Sequence, residues 1–538
     1  MVSRTAAAKA APRAKRSPAS PLDRERRPAS VQIAEQEQLP VQDMAILQAA
    51  QARDIPVLRI AGRLIQLGHG RYQQRLNGTE TTHTNIVSND LASNKDYARR
   101  IFRAFGLPVP RYERVQQKEE AVAAARRIGF PVVVKPNRGN MGEGVSVGMK
   151  TPQEVRDAFA RTRGHGRSVL VEEVVDGADY RMLVINGKLV AAAKRIPAHV
   201  VGDGVHSVEE LVRRANRDSR RGDRHLSTWT RLEFDDQSDQ ILAEHRYRRD
   251  SIPYEREIVY LRRVANTSAG GTSIDVTDQV HPENRLAAER AAMAIGLDIA
   301  GVDLLVRDIS QPMGPQGGVI CEINSRPGLR KHLWPAEGKA RDVLGPIMDM
   351  LFPKGSPSRI PITVVTGLGD TRSVACMLAD LLAADGTKVG LAADNGVFIN
   401  GVRVDGGAVK GPAATRMLLL DPTVELAIIE LPLSEVSLNG LGYDWADACA
   451  IVNDQPIEPG DLTRALNLVV SSARSHVVMR AEDAETHRLK PHPAAKLWSV
   501  SGDGRDAAPY ATALAQCLGR DRADLERRLA NLSQSHGE

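Results

Sequence analysis

The sequence predicts a multidomain protein of mixed α/β and α+β class, and three observations carry that prediction. At 538 residues the chain exceeds what a single hydrophobic core serves. From Asn89 to about Pro353, helical periodicities alternate with short apolar strands, the rhythm of an α/β domain. After Lys354-Gly355-Ser356-Pro357-Ser358, a linker by composition, an apolar strand starts afresh at Ile360 and leads through a glycine turn to a helix from Thr371 to Ala384.

Residues 1–40 are rich in Ala, Pro, Ser and Arg and bury too little apolar area to fold, so they are expected to be a disordered basic tail. Arg13, Lys15, Arg16, Arg24, Arg26 and Arg27 in this tail hold much of the net charge of +6. Its Arg-rich, acid-poor composition overlaps with that of organellar transit peptides, but no apolar core of a secretory signal is present. No nucleic-acid reading module accompanies the charge, and no apolar run reaches the eighteen or so residues of a membrane span. Neither nucleic acid nor membrane is therefore an expected partner. Cys321, Cys376, Cys449 and Cys517 lack metal or disulfide spacing, which fits a reducing cytoplasm.

Residues 41–88 predict a short N-terminal unit: a helix over 41–52, strands near 56–60 and 63–67, and a turn at Gly68-His69-Gly70. Residues 89–355 form the main domain, with a charged, helix-like insertion at about 206–240. Residues 359–485 form a second domain of βαβ type. Residues 486–538 make a C-terminal segment with one helix from Asp521 to Leu532, expected as a cap or oligomer contact.

Chemistry concentrates in the main domain. Val302-Asp303-Leu304-Leu305 and Cys321-Glu322-Ile323-Asn324 set two carboxylates and an amide in apolar runs that read as neighbouring strands. Hard oxygen ligands of this kind suit Mg²⁺ carrying nucleotide phosphates. The competing reading is a buried Asp and Glu satisfied by hydrogen bonds. Upstream, the strand Val132-Val133-Val134-Lys135 ends in a lysine and leads into Gly139-Asn140-Met141-Gly142-Glu143-Gly144. A strand lysine beside a glycine loop can ground one phosphate while backbone N–H groups cover others, although a plain hairpin also explains such a loop. In Val169-Leu170-Val171-Glu172-Glu173-Val174, backbone near Glu173 and Val174 would meet an adenine edge, and Asp179 would hold ribose hydroxyls. The alternative is a set of solvated acids at a strand end.

Lys95, Lys135, the loop from Gly139 to Gly144, the segment Glu172-Glu173-Val174, Asp303, Glu322 and Asn324 occur in an order and spacing that resembles the ATP-grasp fold. The resemblance implies ATP between two lobes, two Mg²⁺ ions on Asp303, Glu322 and Asn324, and carboxylate–amine ligation through an acyl phosphate. It implies that Arg262 lies against that acyl phosphate, with Arg181 as a second cation. Longer stretches, including Ile196-Pro197-Ala198-His199, Ala265-Asn266-Thr267-Ser268-Ala269-Gly270-Gly271 and Ile295 to Asp303, look like cyanophycin synthetase over roughly Leu64 to Asp483. His199, Gly270, Gly271 and Arg326 are the substrate-contact candidates. A packing histidine and a simple turn are the competing explanations for the first three.

In that family the second domain is Mur-ligase-like and carries a Gly-Lys-Thr P-loop. Here Thr366-Gly367-Leu368-Gly369-Asp370-Thr371-Arg372-Ser373 has no such lysine, and Asp370 sits where an anion would dock. Ile429-Glu430-Leu431-Pro432-Leu433 and Val452-Asn453-Asp454-Gln455-Pro456 also depart from the family pattern. The second domain is therefore expected to be a truncated, degenerate Mur-ligase-like unit kept for dimerisation or bracing. The whole resembles the shortened synthetase type that polymerises β-aspartyl-arginine dipeptides into a cyanophycin-like polymer, as a homo-oligomer (dimer or tetramer). A ligase with another amino-acid or dipeptide substrate, or a non-catalytic partner of a full-length synthetase, are the alternatives.

Overall fold

A computed structural model describes residues 38–139, 143–166, 168–384, 386–405, 409–455, 457, 460–482, 489–501 and 506–535. The predicted N-terminal tail falls, except for its last three residues, outside this set, as do Asn140, Met141 and Gly142 of the glycine loop.

The first elements among the described residues are the helix Val41–Gln51 and an antiparallel meander of β1 (Val57–Ala61), β2 (Leu64–Leu67), β3 (Gln74–Asn77) and β4 (Glu80–Thr81). Ile46, Ala50, Ile65, Leu67 and Leu76 bury against Leu183, Ile185, Ile347 and Leu351, so this unit is part of the main domain's core. The first lobe is a four-stranded sheet of β5 (Tyr112–Val115), β6 (Val132–Pro136), β7 (Ser146–Met149) and β8 (Val169–Glu173), in the order β5-β8-β6-β7. The helices Lys118–Ile128 and Pro152–Arg163 present Ala121, Ala125, Val155, Ala158 and Phe159 to its apolar positions Val132, Val134, Val169 and Val171.

The second lobe starts with β9 (Ala178–Ile185) and β10 (Lys188–Ile196). An excursion then carries β11 (His199–Val201), β12 (Arg221–Gly222), β13 (Trp229–Thr230) and β14 (Ile258–Tyr260), followed by β15 (Thr272–Asp275), β16 (Ile299–Val306) and β17 (Val319–Asn324). The resulting sheet runs β15-β10-β9-β16-β17 and is antiparallel throughout. The charged insertion contains the helices Val208–Ala215 and Asp236–Glu244. It is gathered at its base by β11 pairing with β14, so as a folded unit it extends beyond 206–240 on both sides.

Alternation decides what the two faces of this sheet do. Met182, Val184, Val302 and Leu304 point to the helix Pro282–Ile295, whose Ala288, Ala291, Ala292 and Ile295 seal that side. Period two then sends Arg181 and Asp303 to the opposite face. The helix itself begins with proline in its first turn and ends on Gly296 at φ 80°, a left-handed stop that suits glycine.

After the linker, β18 (Ile362–Gly367), β19 (Val389–Ala393), β20 (Gly396–Ile399), β21 (Val402–Arg403), β22 (Leu426–Glu430), β23 (Ala446–Val452), β24 (Ala473–Arg480) and β25 (Lys496–Val500) form one sheet. Its order is β21-β20-β19-β22-β18-β23-β24-β25, with β20 and β21 as the antiparallel edge of an otherwise parallel sheet. The helices Thr371–Ala383 and Ala508–Cys517 cover one face, and Gly411–Leu420 and Asp461–Ser472 the other. The C-terminal segment differs from the expected separate cap. Lys496–Val500 is the last strand of this sheet, and Tyr510, Ala511 and Leu514 bury with Val374, Leu378 and Leu382. Its alternating, Ala-rich sequence carries a weak apolar signal that only packing resolves.

The N-terminal turn grips this second domain. The Gln66 side-chain amide donates to the Leu419 carbonyl (2.8 Å), His69 N–H to Ser358 O (2.9 Å) and Arg71 N–H to Val424 O (3.0 Å). Gly70, at φ 54°, approaches so closely that a Cβ there would lie 2.4 Å from Val424 O. Arg359 reaches Asp444 (2.5 Å) and Asp54 (3.3 Å) and lies over the Trp445 ring.

Candidate active site

Two clusters of charge face each other across the lobes. In the first lobe Lys135, at the end of β6, and Glu172, on β8, are 5 % and 4 % exposed and meet at 2.6 Å. Arg99, from the helix Lys95–Ala104, is the second cation on the same carboxylate and lies over the Tyr112 ring. Burial pushes the Glu172 carboxyl up, but Lys135 and Arg99 outweigh it and hold the group below its ordinary range. Burial pulls the Lys135 ammonium down, and the facing Cys321 and Glu172 raise it beyond its usual value. Cys321 is itself a thiol pushed up by burial, so Glu172 is the operative counter-charge. Lys95 donates to the Gly139 carbonyl (2.8 Å) and lies 3.8 Å from Glu322, which ties the glycine loop to the opposite cluster. Burial lowers the Lys95 ammonium, and Glu322 works against that shift.

In the second lobe, strand register places the other groups on one face. Asp303 pairs with Glu322 on one side and with Arg181 on the other, Gly301 pairs with Asn324, and Asp179 pairs with Arg195. Asp303, 2 % exposed, accepts from Arg181 and from the Arg195 guanidinium (3.0 Å). Burial raises the Asp303 carboxyl, but the two arginines win and depress it well below the carboxylate range. Arg195 also holds Asp179 at 2.5 Å.

The donors fit Mg²⁺. Among the described residues no three acidic, imidazole or thiol ligands gather into a cage. Instead two carboxylates and the Asn324 amide share a face, and the amide nitrogen is turned to Gly301 O (3.3 Å). An incomplete set of hard oxygens leaves positions for water and phosphate, which Mg²⁺ prefers to keep.

Of the remaining sequence candidates, Glu173 is taken by Arg111 (2.6 Å), and Val174 is partly exposed just past the end of β8. Asp179 lies with the metal-type carboxylates and Arg195, not with β8, because residues 178–185 belong to the second lobe's sheet. Gly144, at φ 68°, closes the glycine loop, where its carbonyl accepts from Thr162 (2.7 Å). Arg262 is bound to Asp235 (2.9 Å) and the Glu233 carbonyl within the insertion. His199 bonds to Pro197 O (2.8 Å) beside Tyr260, and Arg326 pairs with Glu80 of β4. Gly270 and Gly271 lead into β15, and a Cβ on Gly271 would stand 2.8 Å from Asn266 O and 2.9 Å from Ile196 O. Arg99 and Arg195 were not foreseen. The signal for Arg195 was alternation in Ala193-Lys194-Arg195, which puts one of two adjacent cations on the carboxylate face.

This fold and this face are of the kind found in ATP-grasp domains. The family model described as an ATP-grasp domain matches residues 87–178. A cyanophycin synthetase of Synechocystis sp. is 40% identical over 412 residues, covering 76% of this chain and 47% of that protein. A glutathione biosynthesis bifunctional protein of Mannheimia succiniciproducens is 33% identical over 285 residues, 52% of this chain and 38% of its own length. Among solved structures, a bifunctional glutathione synthetase from Pasteurella multocida has a TM-score of 0.47 at 29% identity, covering 59% of this chain and 44% of that one. Over about three quarters of its own length the chain is similar to cyanophycin synthetases, and it spans about half the length of the cyanophycin synthetases it matches.

Proposed function

We propose that the protein is an ATP- and Mg²⁺-dependent peptide ligase that joins β-aspartyl-arginine dipeptides into cyanophycin or a closely related polymer. The observation that supports this most is the pairing of a phosphate-type lysine cluster in one lobe with Asp303, Glu322 and Asn324 on one sheet face of the other, in a chain about 40% identical to cyanophycin synthetases. Lys135 and Lys95 would ground phosphate oxygens as the loop ending in Gly144 covers them. Bound Mg²⁺ would neutralise charge on the transferring phosphoryl group. Asp303, Glu322 and Asn324 would hold it, with Arg181 and Arg195 yielding part of their grip on Asp303. The chain-end carboxylate would become an acyl phosphate, and the dipeptide's α-amine would displace phosphate from it. Arg262 would serve if the insertion swung it inward from Asp235. The four cysteines are free, and no described helix is long and apolar enough to cross a membrane, which is compatible with work in the cytoplasm.

The second domain is proposed to brace the first. Asp370 caps the helix Thr371–Ala383 by accepting from Ser373 N–H (3.0 Å), so the chain's own carboxylate occupies the helix end where a nucleotide phosphate would dock. Asp370→Ala is expected to leave turnover within about twofold while costing about 1 kcal/mol of stability. Loss of turnover in a folded variant would give this loop a catalytic part.

The test of the function is phosphate release from ATP with Mg²⁺, comparing β-aspartyl-arginine with free aspartate plus arginine, each with and without a short cyanophycin primer. Turnover with the dipeptide and none with the free amino acids supports the proposal. Turnover only with a different amine, or none with any, overturns the substrate assignment.

A further inference from the structure

The loop that follows Asn324 is held by the N-terminal unit at Ser325, Arg326, Pro327 and Leu329. Ser325 Oγ donates to Asn89 Oδ1 (2.6 Å) in the helix Ile86–Ser93, and Arg326 pairs with Glu80. Thr79 Oγ1 donates to the Pro327 carbonyl (3.0 Å), and Leu329 N–H donates to Gln42 Oε1 of the first helix (3.0 Å). The Gly328 carbonyl instead accepts a long bond from Lys331 Nζ (3.4 Å). The same short segment holds the neighbouring strand. Asp298, just before β16, accepts from Thr81 Oγ1 (2.6 Å) and Thr84 Oγ1 (2.7 Å). Because β16 and β17 are antiparallel, Asp298 and Pro327 lie at one end of the strand pair that carries Asp303, Glu322 and Asn324. Residues 79–84 clamp both strands there.

Within this clamp, Thr79 has a direct path to the metal face. Thr79 is fully buried, and the Pro327 it holds is buried as well. Pro327 packs over Gly301, which shares a face with Asp303 and pairs with Asn324. A Cβ on Gly301 would lie 2.8 Å from Pro327 Cβ and 3.0 Å from the Arg181 guanidinium, so the proline ring and Arg181 fill the space a side chain would need. Across the same pair the Asn324 amide donates to the Gly301 carbonyl (3.3 Å). A shift of the ring would therefore disturb the Asn324 oxygen and the grip of Arg181 on Asp303 together. Without the Thr79 hydroxyl, the buried Pro327 carbonyl loses a donor and with it a reason to stay in place.

We infer that Thr79 is a positioning residue for the metal face: its hydroxyl seats Pro327, and Pro327 sets the Asn324 amide oxygen and Arg181 relative to Asp303. The inference rests on the assignment of Asp303, Glu322 and Asn324 to Mg²⁺ in the proposal above. It also gives the brace from the second domain a destination. The strand that leads to Thr79, β3, starts beside Gln73, whose side-chain amide donates to Leu420 O (3.0 Å). One short strand thus joins the second domain to the loop that fixes a metal ligand.

The experiment is a titration of the full chain with Mn²⁺, which takes the same oxygen ligands as Mg²⁺, in the presence of a non-hydrolysable ATP analogue. Free Mn²⁺ is read by electron paramagnetic resonance, and thermal melting is recorded on the same preparations. Thr366→Val is the control, because Thr366 is an equally buried threonine whose hydroxyl donates to a backbone carbonyl, Leu431 O (2.7 Å), in the second domain. Thr79→Val is expected to weaken nucleotide-dependent Mn²⁺ binding about tenfold or more, while Thr79→Ser and Thr366→Val stay within about twofold of wild type. Wild-type binding by Thr79→Val, no recovery in Thr79→Ser, or an equal loss in Thr366→Val overturns the inference. Pro327→Ala approaches the same contact from the other side and decides the matter if Thr79→Val does not fold. A loss of about tenfold there upholds the inference, and wild-type affinity overturns it. Absence of nucleotide-dependent Mn²⁺ binding in wild type would instead remove the metal assignment itself, and the inference with it.

Discussion

Glu322→Gln is expected to lower turnover about a thousandfold or more with little change in melting temperature, whereas Asp303→Asn is expected to damage both. The two residues pair across neighbouring strands, yet their surroundings differ. The Glu322 side chain is 31% exposed and its nearest cation, Lys95, is 3.8 Å away, so removing its charge disturbs little in the resting protein. During reaction it would remove one of two anionic metal ligands, a loss of several kcal/mol at about 1.4 kcal/mol per tenfold. Asp303 is also the shared counter-charge of Arg181 and Arg195. Neutralising it strands the buried Arg181 guanidinium and leaves Arg195 with Asp179 alone, and losing one partner of a buried pair costs about 3–5 kcal/mol. Phosphate release and thermal melting on the same preparations check the contrast. Wild-type turnover in Glu322→Gln would take that residue out of the metal site.

The second large effect lies in the opposite lobe. Glu172→Gln leaves Lys135 and Arg99 buried against a neutral amide, and the first lobe is expected to lose about 3–5 kcal/mol. Its sign with pH is fixed by linkage. The folded Glu172 is held below its unfolded value of about 4.3, so the native state binds fewer protons there than the unfolded state. The stabilisation is fully present above that unfolded value and is lost as pH falls through the folded one. Wild type should therefore lose stability more steeply than Glu172→Gln below about pH 4, and the two should converge in acid. Urea midpoints from pH 3 to 7 measure this directly. Parallel curves for the two proteins would mean that the Glu172 carboxyl titrates alike in the native and unfolded states.

Much of this site was legible because polar residues stand out in apolar strands. Asp303 inside Ile299–Val306, and Glu322 with Asn324 inside Val319–Asn324, have no reason to interrupt a buried strand unless they face a polar site. Lys135 was marked in the same way. What the linear pattern hides is register. That Asp179 belongs with Arg195 and Asp303, not beside Glu173, follows only from which strands pair, because the turn between β8 and β9 carries the chain from one lobe to the other. Arg99 and Lys331 were hidden for a different reason. Each sits in a helical segment where a long cation reads as a solvated surface group, and only its burial identifies it. The C-terminal strand Lys496–Val500 was missed because an edge strand with exposed Leu497 lacks a continuous apolar run.

The grip of the N-terminal turn on the second domain also sets an order of assembly. Gln66 and the Leu419 carbonyl are 353 residues apart. At about 5–20 residues per second of synthesis, the meander emerges on the order of 20–70 s before its partner exists. Its helix and strands can settle on the main domain's core as soon as Leu183 and Ile347 have been made. Gln66, Gly68 and Gly70 must wait with their polar groups in water until β18 and β22 are in place. The meander, made well before its partner, is thus among the last elements to be locked, and completion of the second domain is what closes it.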